Sequence, residues 1–234
     1  MAVSRSVACA FTRDEPSMGW FISFEGLDGS GKTTQIAGLA QRLRAAGHDV
    51  LLTREPGGTA IGDQIRSILH DMRNAEMTAL AEFLLYSASR AQLVRQVIRP
   101  HLERGGTVLC DRFADSSLAY QGYGRQLDLD WVREVTRFVT EGVVPHLTIY
   151  LDLPVEIGLA RKQAAFAAQR GERNRLDTQP LEFYRRVRDG YLSMARAEPQ
   201  RWLVIDATQS IDQVQQSIWE RLQHLLLEMG EAAR

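Results

Sequence analysis

Cysteine is scarce: only Cys9 and Cys110 occur in 234 residues. Cys110 falls inside the apolar run TVLC, so neither a disulfide framework nor a thiolate metal site is indicated, and a reducing cytoplasm is the expected setting. Long hydrophobic runs are missing too, none approaching the roughly 18–20 residues of a membrane-spanning helix. MAVSRSVACAF gives way too soon to Arg13, Asp14 and Glu15 to act as a signal peptide. Residues 1–17 are therefore expected to form a flexible N-terminal tail, with Met18 an alternative start. Nor is there an excess of charge: 28 Lys and Arg face 29 Asp and Glu, a net charge of -1. No basic field is present to attract nucleic acid or an anionic membrane, and any phosphate chemistry must come from local clusters. None of His48, His70, His101, His146 and His224 stands at a metal-ligand spacing. There are seven prolines, no internal repeat and no low-complexity linker. A hydrophobic fraction of 44% suits one ordinary globular domain, placed at residues 18–230.

What is present reads as alternating strands and helices. Short apolar runs predict strands at Trp20–Glu25, Val50–Thr53, Thr107–Cys110, Leu147–Leu151 and Trp202–Ile205. Helical spacing of apolar residues predicts helices after residue 31, over Glu76–Arg99 ending at Pro100, and over Trp131–Glu141. Further helices are predicted from Pro154 to about Ala168, over Leu181–Arg196 and over Ile211–Glu228. Strands apolar on both faces and alternating with helices imply an α/β fold, a five-stranded, mostly parallel sheet covered by helices on both faces. The polar stretch from about 163 to 178, QAAFAAQRGERNRLDT, is expected to be a short mobile flap.

Between the first strand and the first helix stands GLDGSGKT, residues 26–33, the pattern G-x-x-x-x-G-K-[ST] of a phosphate-binding loop in its required context. This makes the α/β fold a P-loop NTPase fold. Gly26, Leu27, Asp28, Gly29, Ser30, Gly31, Lys32, Thr33 and Thr34 would form a cradle in which backbone amides and the helix N-terminus face a nucleotide triphosphate. Lys32 would reach the transferable phosphate. Thr33 would ligate Mg²⁺, with Asp111, at the end of an apolar strand, as the second acid. The loop alone does not separate a kinase from a GTPase or an ATPase, although no N-K-x-D recognition loop is found.

An acceptor site is expected beyond the carboxyl ends of the strands. Arg54, Arg90 and Arg112 converge there, suited to a second phosphate by their paired donors. Tyr86 shares a helical face with Arg90, and Tyr120 and Gln121 lie close behind Arg112 in sequence; such rings could stack on a nucleobase.

Taken in order, FEGLDGSGKTT, TREPGGT, LLYSASRAQL, DRFADSSLAYQG and RLDTQPLEFYRRVRDGYL resemble the bacterial thymidylate kinases over about residues 19–228. The resemblance implies phosphorylation of dTMP to dTDP by ATP with Mg²⁺. It also implies roles: Asp28 near the acceptor's sugar and phosphate, Arg54 and Arg112 on that phosphate, and Tyr86 stacked on the base. Arg90 would address a base carbonyl, Ser117 and Gln121 would surround the pyrimidine, and Tyr120 would lie against the deoxyribose. A homodimer through the long helix after REPGG is implied as well. Because the phosphate loop itself holds no arginine, catalytic charge is expected from the flap, through Arg170 or Arg175, with Arg173 holding it closed. The alternatives are a kinase for another small-molecule or nucleoside monophosphate acceptor, and a nucleotide-dependent regulatory ATPase.

Overall fold

The computed structural model describes residues 19–169 and 173–232. The expected tail at 1–17 and Arg170 lie outside them. Five strands, β1 (Phe21–Glu25), β2 (Val50–Arg54), β3 (Thr107–Asp111), β4 (Leu147–Asp152) and β5 (Trp202–Asp206), form one sheet in the order β2-β3-β1-β4-β5. Every pairing is parallel. All five carboxyl ends therefore point the same way, and the loops that leave them share one rim.

The helices that join the strands cover both faces. On one face α1 (Lys32–Ala45) and α9 (Ile211–Ala232) bury Ile36, Leu39, Leu43, Val214, Ile218 and Leu222 against Ile22, Phe24 and Ile149. On the other, α8 (Leu181–Ala197) sets Phe183, Val187 and Tyr191 against Tyr150 and Trp202. Beside it, Leu93, Val94 and Ile98 pack on Phe21, Val108 and Cys110. In β1, β3 and β4, burial on both faces explains the continuous apolar runs, whereas the edge strands β2 and β5 leave Leu52 and Val204 exposed.

Three segments depart from the sequence reading. The long helix predicted to stop at Pro100 is α3 (Ala79–Leu93), followed by a π-helical turn over Val94–Ile98 and then α4 (Arg99–Glu103). The wider turn resets the hydrogen-bond ladder, so Pro100 falls in the first turn of α4, where its missing N–H costs little. A second helix, α2 (Ala60–His70), stands where the sequence reading places no element, since REPGGT at residues 54–59 reads as turn and no helix is predicted directly behind it. Thr59 starts it nonetheless, its side chain accepting from Gly62 N at 2.9 Å. A short helix, α5 (Ala114–Ser117), runs into a second π-helical turn at Leu118–Gly124. The other helices are α6 (Leu129–Val139) and α7 (Val155–Ala167), and a single 3₁₀ turn spans Arg175–Thr178. The expected flap thus begins as the last turn of α7 and ends in that 3₁₀ turn.

Candidate active site

The rim at the carboxyl ends of β1, β2 and β3 opens into a cleft of about 850 Å³. On one side is the glycine loop between β1 and α1. Gly31 has φ +91°, a left-handed conformation that a side chain would strain. A Cβ at Gly29 would stand 2.5 Å from the carbonyl oxygen of Gly158 on α7, so both glycines are required by the geometry. Lys32, the first residue of α1, turns back across the loop and donates to the carbonyls of Gly26 at 3.0 Å and Leu27 at 3.2 Å. Burial, with Arg112 beside it, lowers its ammonium to about 8. Gly29, Gly31, Lys32, Thr33 and Thr34 line the cleft, whereas Gly26, Leu27 and Ser30 stand behind them.

Asp28 joins the two sides. One carboxylate oxygen accepts from Arg112 at 2.8 Å and the other from Lys162 of α7 at 2.5 Å. Burial would raise this carboxyl, but Arg112, Lys162 and Lys32 outweigh it and hold it well below the usual carboxylate range. Lys162 also donates to Asp177 in the 3₁₀ turn, which ties that turn to the loop.

The opposite side carries Arg54 and Arg112, each beside the end of its strand, since Arg54 and Asp111 are register partners. Arg54 pairs with Asp63 at 3.1 Å and is half exposed. Tyr86, Ser117, Tyr120 and Gln121 complete a wall of mixed aromatic and polar character. Arg112 lies 5.1 Å above the Tyr120 ring. Gln121 donates its amide to Glu82 at 2.8 Å, which fixes the orientation of the amide.

Two arginines are not where the sequence reading put them. Arg90 does not line the cleft. It is 1% exposed, donates from Nε and Nη2 to Glu55, and reaches Ser117 Oγ at 3.0 Å and the Phe113 carbonyl at 3.1 Å. It therefore sits behind Ser117 rather than in the expected base contact. Arg175 is likewise buried, donating to Glu82 and to the Leu69 carbonyl. Rather than a free flap cation, Arg175 is an anchor, because the buried Glu82 carboxylate needs cationic partners. Arg173 lies 4.8 Å over the Phe166 ring.

Sequence reading also missed Arg66, His70, Arg161, Lys162 and Tyr184, which all line the cleft, and the buried Glu25. Burial pushes Glu25 up to about 7, opposed by Arg112 and by its hydrogen bonds. Only Arg161 and Lys162 carry a signal, as adjacent cations about two turns into a helix that starts at the sheet rim.

Asp111 Oδ1 is buried with no hydrogen-bond partner. With the Thr33 hydroxyl it offers hard oxygen donors, the kind Mg²⁺ takes. Among the described residues no three His, Cys, Asp or Glu cluster as a metal cage.

A glycine loop at the N-terminus of the first helix, a strand-end acid and a facing pair of arginines across one cleft define a P-loop nucleotide-binding protein with room for a second ligand. The sequence model described as thymidylate kinase matches residues 24–218, and the chain belongs to that family. It is 57% identical over 203 residues to the thymidylate kinase of Deinococcus radiodurans, spanning 87% of this chain and 96% of the relative. Identity to that of Citrifermentans bemidjiense is 48% over 216 residues, 92% and 96% of the two chains. The crystal structure of the thymidylate kinase from Ehrlichia chaffeensis superposes with a TM-score of 0.69 at 33% identity, covering 87% of this chain and 98% of that one.

Proposed function

We propose that this chain transfers the γ-phosphoryl group of ATP to dTMP, giving ADP and dTDP. The observation that carries the reading is one cleft with the glycine loop on one side and Arg54 and Arg112 on the other, an arrangement suited to two anionic ligands placed end to end. An oxygen of the acceptor phosphate attacks the γ-phosphorus in line as the bond to the β-phosphate oxygen breaks. Little covalent help is needed: the protein positions the two nucleotides and meets negative charge. Lys32 leaves its loop carbonyls for the donor phosphates. Arg54 and Arg112 hold the acceptor phosphate, and Asp28 keeps Arg112 aimed while facing the acceptor's sugar. Tyr86 stacks on thymine, Tyr120 borders the deoxyribose, and Ser117, braced by Arg90, reads the polar edge with Gln121. Thr33 and Asp111 would hold Mg²⁺, which when bound neutralises charge on the donor phosphates.

Residues 163–178 act as the flap that shuts water out. Its basic contribution comes from Lys162 and Arg161 at its root, with Arg170 on the flap itself. Leu80 and Leu84 on α3 and Phe138 on α6 are exposed apolar side chains, which supports a homodimer built on these helices. A cytoplasmic setting accords with the buried free thiol of Cys110.

Coupled ADP release tests the assignment. Turnover with Mg²⁺ and ATP should depend on dTMP, and Lys32→Ala should cut it by at least about 100-fold while leaving the protein folded. Slow ADP release indifferent to dTMP would select the regulatory-ATPase reading instead.

A further inference from the structure

Arg112 reaches the cleft from a strained position. Its φ is +69°, in the left-handed region that a branched or long side chain enters only when its surroundings hold it there. Two hydrogen bonds bracket that residue: its own N–H donates to the Phe24 carbonyl at 2.9 Å, and the next N–H, of Phe113, donates to Glu25 Oε1 at 2.8 Å. Glu25 is the last residue of β1, fully buried, and does not line the cleft. Its other oxygen accepts from Ser116 Oγ at 2.6 Å and from Tyr191 OH at 2.7 Å. Those two hydroxyls are also the atoms that Arg112 Nη1 approaches, each at 3.4 Å.

Three donors converge on the two oxygens of Glu25, and in its ionised form that side chain only accepts, so it draws both hydroxyl protons toward itself and leaves the hydroxyl oxygens' lone pairs facing the guanidinium. One buried side chain thereby fixes both the backbone of Arg112 and the polarity of the groups that aim it. We propose that Glu25 is a positioning residue for acceptor binding, acting through Ser116 and Tyr191 to hold Arg112 in the orientation that grips the acceptor phosphate. This rests on the reading of Arg112 as an acceptor-phosphate ligand. Glu25 touches neither nucleotide.

The test compares affinities for dTMP and ATP, measured separately by calorimetry, with kcat and thermal midpoint as companions. Glu25→Gln keeps the size but puts an amide NH₂ where an acceptor stood, opposing either the Phe113 N–H or the two hydroxyls. It should weaken dTMP by at least about 10-fold and ATP by less than about 2-fold. Tyr191→Phe removes only the bridging hydroxyl and should weaken dTMP by about 5-fold, with a thermal midpoint lowered only modestly because Phe113 N–H and Ser116 still donate to Glu25. It carries the test by itself if Glu25→Gln does not fold. In an Arg112→Ala background, Glu25→Gln and Tyr191→Phe should each add less than about 2-fold, because the group they act through is gone. Full additivity in that background, equal losses for ATP and dTMP, or parental dTMP affinity in both single variants would overturn the proposal. Arg112→Ala that itself leaves dTMP affinity intact would instead overturn the acceptor-phosphate reading, and this inference with it.

Discussion

Asp28 holds Arg112 and Lys162 at the same time, so in the free protein the cations proposed to meet phosphate are already paired and oriented. That arrangement limits the reorganisation needed when the phosphate arrives. His70 shows the other side of the same crowding. Burial, then Arg66 on its own helix, with Lys162 and Arg112 facing it, lower its imidazole to about 4, with Asp28 alone opposing. Its folded pKa lies below the unfolded value, so between pH 4 and 6.5 the unfolded chain binds more protons at this residue and stability rises with pH. Lowering the pH through that window should reduce the melting temperature, and His70→Gln should make the fall shallower. An unchanged slope in the variant would place His70 in water. Legibility at this scale follows locality. Lys32, Thr33 and Asp111 announce themselves because their neighbours in sequence are their neighbours in space. Glu25, His70 and Tyr184 do not, since only the folded chain brings His70 and Tyr184 to the cleft and sets Glu25 behind it.

The elements that sequence reading found, β1 to β5 and the helices after them, have an apolar period that matches their burial. Those it missed have competing signals. In α2, Gly62 and the preceding glycines obscure Ile61, Ile65 and Ile68, and in α3 the pattern continues unbroken through the π-helical turn at Val94–Ile98. Arg175 is the instructive case. Its charge placed it on a flap, but its contacts place it under α3, where Glu82 also receives Arg125 and Gln121. Arg175→Ala should therefore destabilise the protein by about 2–3 kcal/mol, short of the full cost of stranding a buried charge because Arg125 remains. The denaturant midpoint reads this directly. The folded variant should keep a single-turnover transfer rate close to the parent's. Slow transfer at unchanged stability would return Arg175 to the chemistry.

At the scale of the molecule, the parallel sheet gathers every functional loop at one rim and leaves α3 and α6 to face outward. Phe138, 82% exposed on α6, is the side chain that a monomer has least reason to keep. Sedimentation should show a dimer, and Phe138→Glu should shift it to monomer without loss of secondary structure. A parental chain that sediments as a monomer would remove the homodimer from this account. The proposed dimer surface is legible in the sequence only as a surplus of apolar residues on one helix, because nothing in a single chain marks which exposed side chain would meet a partner.

The central claim is that one cleft pairs an ATP loop with a thymidylate pocket, and the pocket is the part that distinguishes this chain from other P-loop proteins. Initial rates of ADP formation at saturating ATP and Mg²⁺ across dTMP, dCMP and dGMP test it most directly. The account predicts a clear preference in kcat/KM for dTMP. A purine overfills the wall of Tyr86 and Tyr120, and cytosine presents an amino donor where the Ser117 hydroxyl is free to donate to a carbonyl and a bare ring nitrogen where the Gln121 carbonyl suits an N–H. Equal efficiency with dCMP or dGMP would contradict it.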